Sequence, residues 1–233
     1  MENPIILEFS DVALRSETGH AADVTGISFA ACAGDLILIL LGSHSGYVPF
    51  SECAEGLTDP EQGYVEFLGQ RWEGMDQPRQ CDMRGRIGRV FHDHGWVSNL
   101  SVYDNVALSQ RHHTLRSEAD IRQEVDHLAR TVGAFPLPEQ LPDSVPSIEL
   151  KRAEWVRALL GRPQLVLLEQ PEHGMPNDSV EQLVDAVLAA ATNGSAVLWM
   201  TASGNCWNDK RLTTARRFSI ENGRWTPAAE IKA

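Results

Sequence analysis

A glycine-flanked polar loop directly follows an apolar run in the stretch LILILLGSHSGYVPF, residues 36–50. Glycines at such a place let backbone N–H groups surround a phosphate, while a lysine neutralises its oxygens and a serine or threonine holds magnesium. This loop contains no lysine, and Pro49 stands where a helix would begin. Three hypotheses are therefore open: a nucleotide site, the remnant of one, or an ordinary strand-to-helix turn.

The composition is that of a globular chain, with 233 residues, 42% of them hydrophobic and 22% charged. The formal net charge of -12 argues against nucleic acid as a partner, because phosphate contacts need an excess of Lys and Arg. The four cysteines form no CxxC pair, so neither a structural zinc site nor a disulfide framework is predicted. The N-terminus does not resemble a signal peptide, and no apolar run approaches about 20 residues. These features predict a soluble, cytoplasmic protein.

The pattern of apolar residues predicts strands in the first and last thirds of the chain and helices between them. Three strands are apolar on both faces, as in a parallel sheet covered by helices, and Asn222-Gly223 predicts a hairpin. Ser117 begins a capping box, and apolar residues at helical spacing follow it. The predicted strands are 5–9, 27–31, 36–41, 64–68, 86–91, 165–169 and 196–200, and the predicted helices are about 118–132, 147–160 and 178–191.

Several separate stretches, in one order along the chain, resemble the ATP-binding cassette (ABC) ATPases, the motor subunits of ABC transporters. Gly34-Asp35, the strand after it and Gly42 are similar to the approach to the family's P-loop. The other matching stretches are AEGL (54–57), DPEQGYVEFLGQ (59–70), RIGRVFHDHGWVSNLSVYDNVAL (86–108), RALLGRPQLVLLEQP (157–171) and VLWMTAS (197–203). Within the family, the pattern most resembles the ATPases of Mla-type phospholipid transporters.

This resemblance implies an α/β fold with a P-loop NTPase-like core. The core has a mainly parallel sheet and is joined by an antiparallel β subdomain and a helical subdomain. We predict a single domain over residues 1–233, with the α/β core at about 1–94 and 161–233 and the helical subdomain at about 95–160.

Aligned with the family's P-loop, the loop has lost the side chains that act on a nucleotide. Tyr47 stands at the lysine position, where it cannot supply a cation, and Val48 stands at the serine position, where it cannot ligate a metal. The loop beside a helix N-terminus could still hold an anion weakly, although a plain turn is the alternative. The degenerate P-loop consists of Gly42, Ser43, His44, Ser45, Gly46, Tyr47 and Val48.

The other catalytic positions of the family have changed as well. Glu169 occupies the place of the Walker B aspartate, and Gln170 occupies that of the following glutamate, which polarises the attacking water. Gln170 can hydrogen-bond to water but cannot take its proton. His92 stands at the Q-loop glutamine, and Ala202 stands at the switch histidine. We therefore expect no catalytic residue at these positions.

The family's LSGGQ signature, which binds the nucleotide of the opposite subunit, corresponds here to Pro146, Ser147, Ile148 and Glu149. Both glycines are lost, and a negative charge stands near the place of the γ-phosphate. His92 and His94 alternate in FHDHG, but two ligands without a third predict no metal site.

These losses together predict a pseudo-ATPase that keeps the shape and contacts of an ABC subunit and supports lipid transport. We expect no required cofactor, although weak binding of ATP and Mg²⁺ is possible. The resemblance implies two partners, a membrane permease subunit and a second ABC ATPase subunit or a second copy. It also implies a location peripheral to the inner face of the cell membrane. The alternatives are an active ATPase with divergent motifs, in which Lys151 or Arg152 approaches the loop, and a soluble scaffold or regulator without a membrane partner.

Overall fold

The computed structural model describes residues 3–15, 23–42 and 47–228. Within these ranges one sheet of ten strands runs through the molecule, in the order β5-β4-β1-β2-β10-β9-β3-β8-β7-β6. The strands are β1 (Ile5–Leu14), β2 (Val24–Cys32), β3 (Leu36–Leu41), β4 (Gln62–Phe67), β5 (Gln70–Arg71), β6 (Ile87–Val90), β7 (Leu165–Glu169), β8 (Ala196–Thr201), β9 (Arg216–Glu221) and β10 (Arg224–Pro227).

Helices cover the sheet and fill the interval between β6 and β7. They are α1 (Phe50–Ala54), α2 (Gln77–Arg84), α3 (Val102–His113), α4 (Glu118–Thr131), α5 (Ser147–Leu159), α6 (Asn177–Thr192) and α7 (Gly204–Trp207). Short 3-10 turns lie at Trp72–Gly74, Pro142–Ser144 and Lys210–Leu212. None of the described helices has the length and apolar character needed to cross a membrane.

The parallel half of the sheet is formed by β9, β3, β8, β7 and β6. Alternate residues of these strands enter two hydrophobic clusters on opposite faces: Leu38 and Leu168 lie in one, and Ile37 and Leu167 lie in the other. Burial on both faces explains why these strands are continuous apolar runs. The carboxyl ends of β3, β7, β8 and β9 therefore meet at one edge, where α/β proteins bind ligands.

The antiparallel half extends the same sheet through β2, β1, β4 and β5. β1 is longer than the predicted 5–9, because irregularities in its pairing carry the strand past the polar residues 10 and 11 as far as Leu14. The hairpin of β9 and β10 turns at Asn222 and Gly223, which both have positive φ, as predicted. The α/β fold with parallel and antiparallel parts is thus confirmed.

The helices between β6 and β7 begin at side-chain caps where the sequence offers them. Ser117 caps α4 by accepting a hydrogen bond from Asp120 N at 3.2 Å, and Ser101 caps α3 in the same way. These helices share a hydrophobic cluster with β7 and β8, in which Trp155 and Trp199 are wholly buried. The division at residues 95 and 160 into a core and a helical subdomain remains a prediction.

Gly88 in β6 lets helix α5 lie directly on the sheet. A Cβ added at this position would stand 1.8 Å from the carbonyl oxygen of Ala158. We expect Gly88→Ala to lower the free energy of unfolding by about 1 to 3 kcal/mol, because the helix must move away from the strand. Urea unfolding measures this loss. Gly74→Ala is the matched control, since no atom lies within 4 Å of its added Cβ, and an equal loss in both variants would contradict the steric explanation.

Candidate functional site

A cavity of about 360 Å³ lies at the carboxyl ends of the parallel strands. It brings together five of the residues that the sequence singled out: Tyr47, Val48, His92, Glu169 and Gln170. Its remaining walls are apolar and come from Leu41, Phe50, Met200 and Ile220. The P-loop-like segment, the end of β7 and the Q-loop-like segment therefore meet here.

The guanidinium of Arg89, on strand β6, lies next to this cavity and joins three carboxylates. Its Nε donates to Glu169 Oε1 at 2.6 Å, its Nη1 donates to Glu55 Oε2 at 2.8 Å, and its Nη2 donates to Glu52 Oε1. Only 5% of the Arg89 side chain is exposed. We call Arg89, Glu52, Glu55 and Glu169 the Arg89 cluster; it ties α1 to β6 and β7.

Burial and charge act against each other within the Arg89 cluster. Burial alone would lower the pKa of Arg89, but the carboxylates of Glu55 and Glu169 raise it above its ordinary value. For Glu55, burial outweighs the nearby guanidinium and raises the pKa. For Glu52, burial is outweighed by the hydrogen bonds from Arg89 and Tyr47, which lower the pKa. Because three carboxylates face one cation, the cluster is formally negative when all its members are ionised.

Tyr47 closes the side of the Arg89 cluster that faces the cavity. Its hydroxyl donates to Glu52 Oε1 at 2.6 Å, and its ring centroid lies 5.6 Å from that of His92. Burial and the bond to Glu52 raise the pKa of Tyr47, so the phenol stays neutral. The neighbouring Val48 is buried in the hydrophobic cluster under the sheet. Neither residue supplies the cation or the metal ligand of a P-loop.

Helix α1 begins at Phe50, one residue after Pro49, the position at which the sequence places a helix start. Residues 47–49 separate it from Gly46, and α1 itself has only five residues, Phe50–Ala54, with Pro49 at its N-cap. Pro49 has no backbone N–H and favours an extended conformation in Val48, which delays the helix. Ser43, His44, Ser45 and Gly46 lie outside the described residues, and Gly42 N donates to Ile220 O at 2.9 Å at the end of β3.

Gln170 lies on the cavity wall directly after β7, with a positive φ and its backbone N–H bonded to Met200 O. Apart from Glu169, which pairs with Arg89, the nearest acidic residue in sequence that could replace its missing carboxylate is Glu172. Both oxygens of Glu172 are already used, because Oε2 accepts from Trp199 Nε1 at 3.0 Å and Oε1 accepts from the Thr201 hydroxyl. Glu172 therefore acts as a brace between β8 and the turn after β7.

The remaining predicted positions lie away from the cavity. Ala202 follows β8 and is exposed. The signature-equivalent residues form the exposed start of α5, where Pro146 is the N-cap and Ser147, Ile148 and Glu149 make the first turn. The resemblance implies that this turn contacts the nucleotide of an opposite subunit. The roles of its four residues remain predictions.

The two basic side chains that could replace the missing P-loop lysine have other partners. Lys151 Nζ lies 3.0 Å from Glu154 Oε2, and Arg152 donates to Gly133 O and to Ser179 Oγ. The cation beside the cavity is instead Arg89, which sequence reasoning missed. An arginine inside the otherwise apolar run IGRVF, residues 87–91, was the available signal, because a buried guanidinium requires acidic partners. Glu52 and Glu55 offer such partners on one face of a helix.

The two histidines of FHDHG face different partners. His92 lies beside Tyr47, whereas His94 Nδ1 lies 2.6 Å from Glu154 Oε1, inside α5. Arg157 holds the same segment by donating to the carbonyl oxygens of His94 and Gly95, and it stacks on Trp96. The segment after β6 is thus held against α5 by hydrogen bonds to side-chain and backbone atoms.

No family model matches the chain, but curated proteins and solved structures are similar to it in sequence and in fold. Over 205 residues the chain is 24% identical to the lipoprotein-releasing system ATP-binding protein LolD of Psychrobacter arcticus, covering 87% of this chain and 88% of that protein. Over 143 residues it is 29% identical to the probable ribonucleotide transport ATP-binding protein mkl of Mycobacterium leprae, covering 61% of this chain and 41% of that protein. Its fold matches the dimeric structure of MJ0796, a bacterial ABC transporter cassette, with a TM-score of 0.83 at 16% identity, over 98% of this chain and 100% of that chain.

These comparisons overturn the prediction that no cofactor is required. Both curated relatives are ATP-binding proteins, and a further matching structure, with a TM-score of 0.82, is a post-hydrolysis state of MJ0796 bound to ADP and Pi. The prediction rested on the lost lysine and magnesium ligand and gave too little weight to backbone N–H groups, which also hold phosphates. In sequence and in fold, the chain is a relative of the ATP-binding cassette ATPase subunits of transporters.

Proposed function

We propose that this chain is the nucleotide-binding subunit of an ABC transporter that binds nucleotide without hydrolysing it. The observation that carries the proposal is the Arg89 cluster. Its guanidinium donates a hydrogen bond to Glu169, the residue that stands at the magnesium position of the family, and the adjoining Gln170 has no carboxylate. A subunit of this kind acts through its shape and its contacts with other subunits.

The described side chains around the cavity do not fit Mg²⁺–triphosphate held for hydrolysis. Tyr47 supplies no charge to a phosphate, Val48 supplies no oxygen to a metal, and Gln170 accepts no proton. Support for nucleotide binding comes from the ATP-binding relatives and from the glycines that flank the loop. We therefore derive no chemical step through the nucleotide and assign it the role of a bound ligand.

The proposed partners are a membrane permease subunit and a second ATPase subunit or a second copy of this chain. The dimeric structure of MJ0796 supports a dimer, and the resemblance of the signature-equivalent turn supports a head-to-tail arrangement. We propose a lipid or a lipid-linked molecule as the transported substrate, because the sequence pattern resembles Mla-type ATPases and one relative belongs to a lipoprotein-releasing system. Such a subunit would lie at the inner face of the cell membrane.

The proposal is tested by measuring nucleotide binding and phosphate release on the purified full chain. We expect calorimetry with Mg²⁺ to detect ATP binding, and we expect phosphate release to stay at the buffer background. Gln170→Glu restores one carboxylate and should still give background turnover, because Tyr47 supplies no cation. Turnover above background that Gln170→Ala abolishes would show an active ATPase with divergent motifs. Absence of a permease after co-purification from membranes would favour the scaffold alternative.

A further inference from the structure

Three potential metal ligands meet where helix α2 approaches the end of helix α3, outside the cavity described above. Cys81 lies on α2, and His112 and His113 are the last two residues of α3. One ligand atom from each side chain lies within 4.8 Å of the others, and all three residues are exposed. In the part of the chain that the structure describes, no other group of at least three His, Cys, Asp or Glu ligands has this proximity.

Gly85 provides the space that one of these ligands needs. It is the C-cap of α2, and a Cβ added to it would stand 2.6 Å from Cγ of the His113 ring. The imidazole therefore lies directly against the backbone at the end of α2, one turn beyond Cys81. The rings of His112 and His113 are edge to face, with centroids 4.8 Å apart. The packing of α2 on α3 thus brings the thiol and the imidazoles together.

The chemistry of the three side chains favours a borderline-soft metal ion. A thiolate and imidazole nitrogens are ligands of Zn²⁺, with Zn–S near 2.3 Å and Zn–N near 2.0 to 2.1 Å. In a tetrahedral site with these bond lengths, the ligand atoms lie roughly 3.3 to 3.6 Å from one another. Side-chain rotations that move the ligand atoms by about 1 Å would therefore complete the coordination.

The neighbouring carboxylate is already engaged elsewhere. Asp82 Oδ2 lies 3.2 Å from Arg79 Nη1 and 3.0 Å from Arg86 Nη2. Because both arginines contact this oxygen, we do not count Asp82 among the ligands. The sequence does not reveal such a site, because Cys81 is far from the two histidines along the chain and no spacing motif connects them.

We propose that Cys81, His112 and His113 form a binding site for Zn²⁺, with water as the fourth ligand. The ion joins α2 to the C-terminus of α3. α2 leads into β6, the strand of Arg89, and α3 follows the segment of His92. The metal therefore braces the two ends of the chain segment that forms one side of the candidate nucleotide site.

The test uses Co²⁺ as a spectroscopic substitute for Zn²⁺ on the full chain, purified in the presence of a chelator that is then removed. We expect one equivalent of Co²⁺ to give a thiolate charge-transfer band and visible bands of a tetrahedral ion, and we expect Zn²⁺ to displace it. Cys81→Ser should abolish the thiolate band. His112→Ala and His113→Ala should each weaken binding at least about tenfold.

Matched variants separate this site from adventitious binding. Gly85→Ala leaves all three ligands in the sequence but displaces the His113 ring, so it should also weaken Co²⁺ binding. Cys32→Ser and His127→Ala, which alter a partly exposed thiol and an exposed imidazole elsewhere, should leave the spectrum unchanged. Thermal unfolding of the metal-free variants checks that they fold. A thiolate band that persists in Cys81→Ser, or equal affinity across the histidine variants, would overturn the proposal.

Discussion

Arg89→Met is expected to lower the free energy of unfolding by about 3 to 5 kcal/mol. The guanidinium is 95% buried and is the shared partner of Glu52, Glu55 and Glu169. Methionine fills a similar volume but leaves three carboxylates facing one another in a largely buried site. Equilibrium unfolding in guanidinium chloride measures the loss. Arg86→Met is the control: it removes an exposed pair with Asp82, and we expect it to cost less than about 1 kcal/mol.

The pH dependence of Arg89→Met identifies the carboxylates as the cause. Without the guanidinium, the pKa values of the three carboxyl groups in the folded state rise above those in the unfolded state. A carboxyl group whose pKa is raised in the folded state destabilises the fold more as the pH rises through its unfolded-state pKa. The loss in free energy of unfolding caused by Arg89→Met should therefore be smaller near about pH 5 than near about pH 8. Adding Glu169→Gln to Arg89→Met should recover part of the loss. A deficit that stays constant with pH would contradict this explanation.

Trp155→Ala is expected to lower the free energy of unfolding by about 3 to 5 kcal/mol as well, but for a different reason. The indole is wholly buried between α5 and the strands, and its Nε1 donates to Pro171 O at 3.1 Å. The substitution leaves a large cavity and removes the donor from a carbonyl oxygen next to Gln170. Thermal and urea unfolding measure the effect.

Two further variants divide the contribution of Trp155. Trp155→Phe keeps most of the packing but loses the hydrogen bond and part of the ring volume, so we expect a loss of about 1 to 3 kcal/mol. Leu115→Ala removes a leucine that is fully exposed, and we expect a change within about 0.5 kcal/mol. If Trp155→Phe were as damaging as Trp155→Ala, packing would not be the main contribution of this residue.

The fold was predictable where the sequence carried a local pattern. The strands β3, β7 and β8 are buried on both faces, and continuous apolar runs indicate this directly. The start of α4 was predictable from Ser117 because a cap is a contact between near neighbours. The full length of β1 was not predictable, because its irregular pairing with β2 and β4 depends on residues far along the chain.

The candidate site was predictable in position but not in its contacts. The order of motifs indicated that Tyr47, His92 and Glu169 would meet, and the structure places them around one cavity. The role of Arg89 depends on partners that are 34, 37 and 80 residues away, which no spacing rule connects.

If hydrolysis is absent, as we propose, the connected carboxylates around Arg89 have a consequence for any gain of catalysis during evolution. A lysine introduced at position 47 would stand next to Glu52, which already receives the Tyr47 hydroxyl. The new ammonium would therefore be drawn into the existing ion network, away from a bound phosphate. Its benefit would depend on earlier changes at Glu52 or Arg89, and each of those changes alone would destabilise the fold. A gain of catalysis by single substitutions would then pass through less stable intermediates, which selection for stability would oppose.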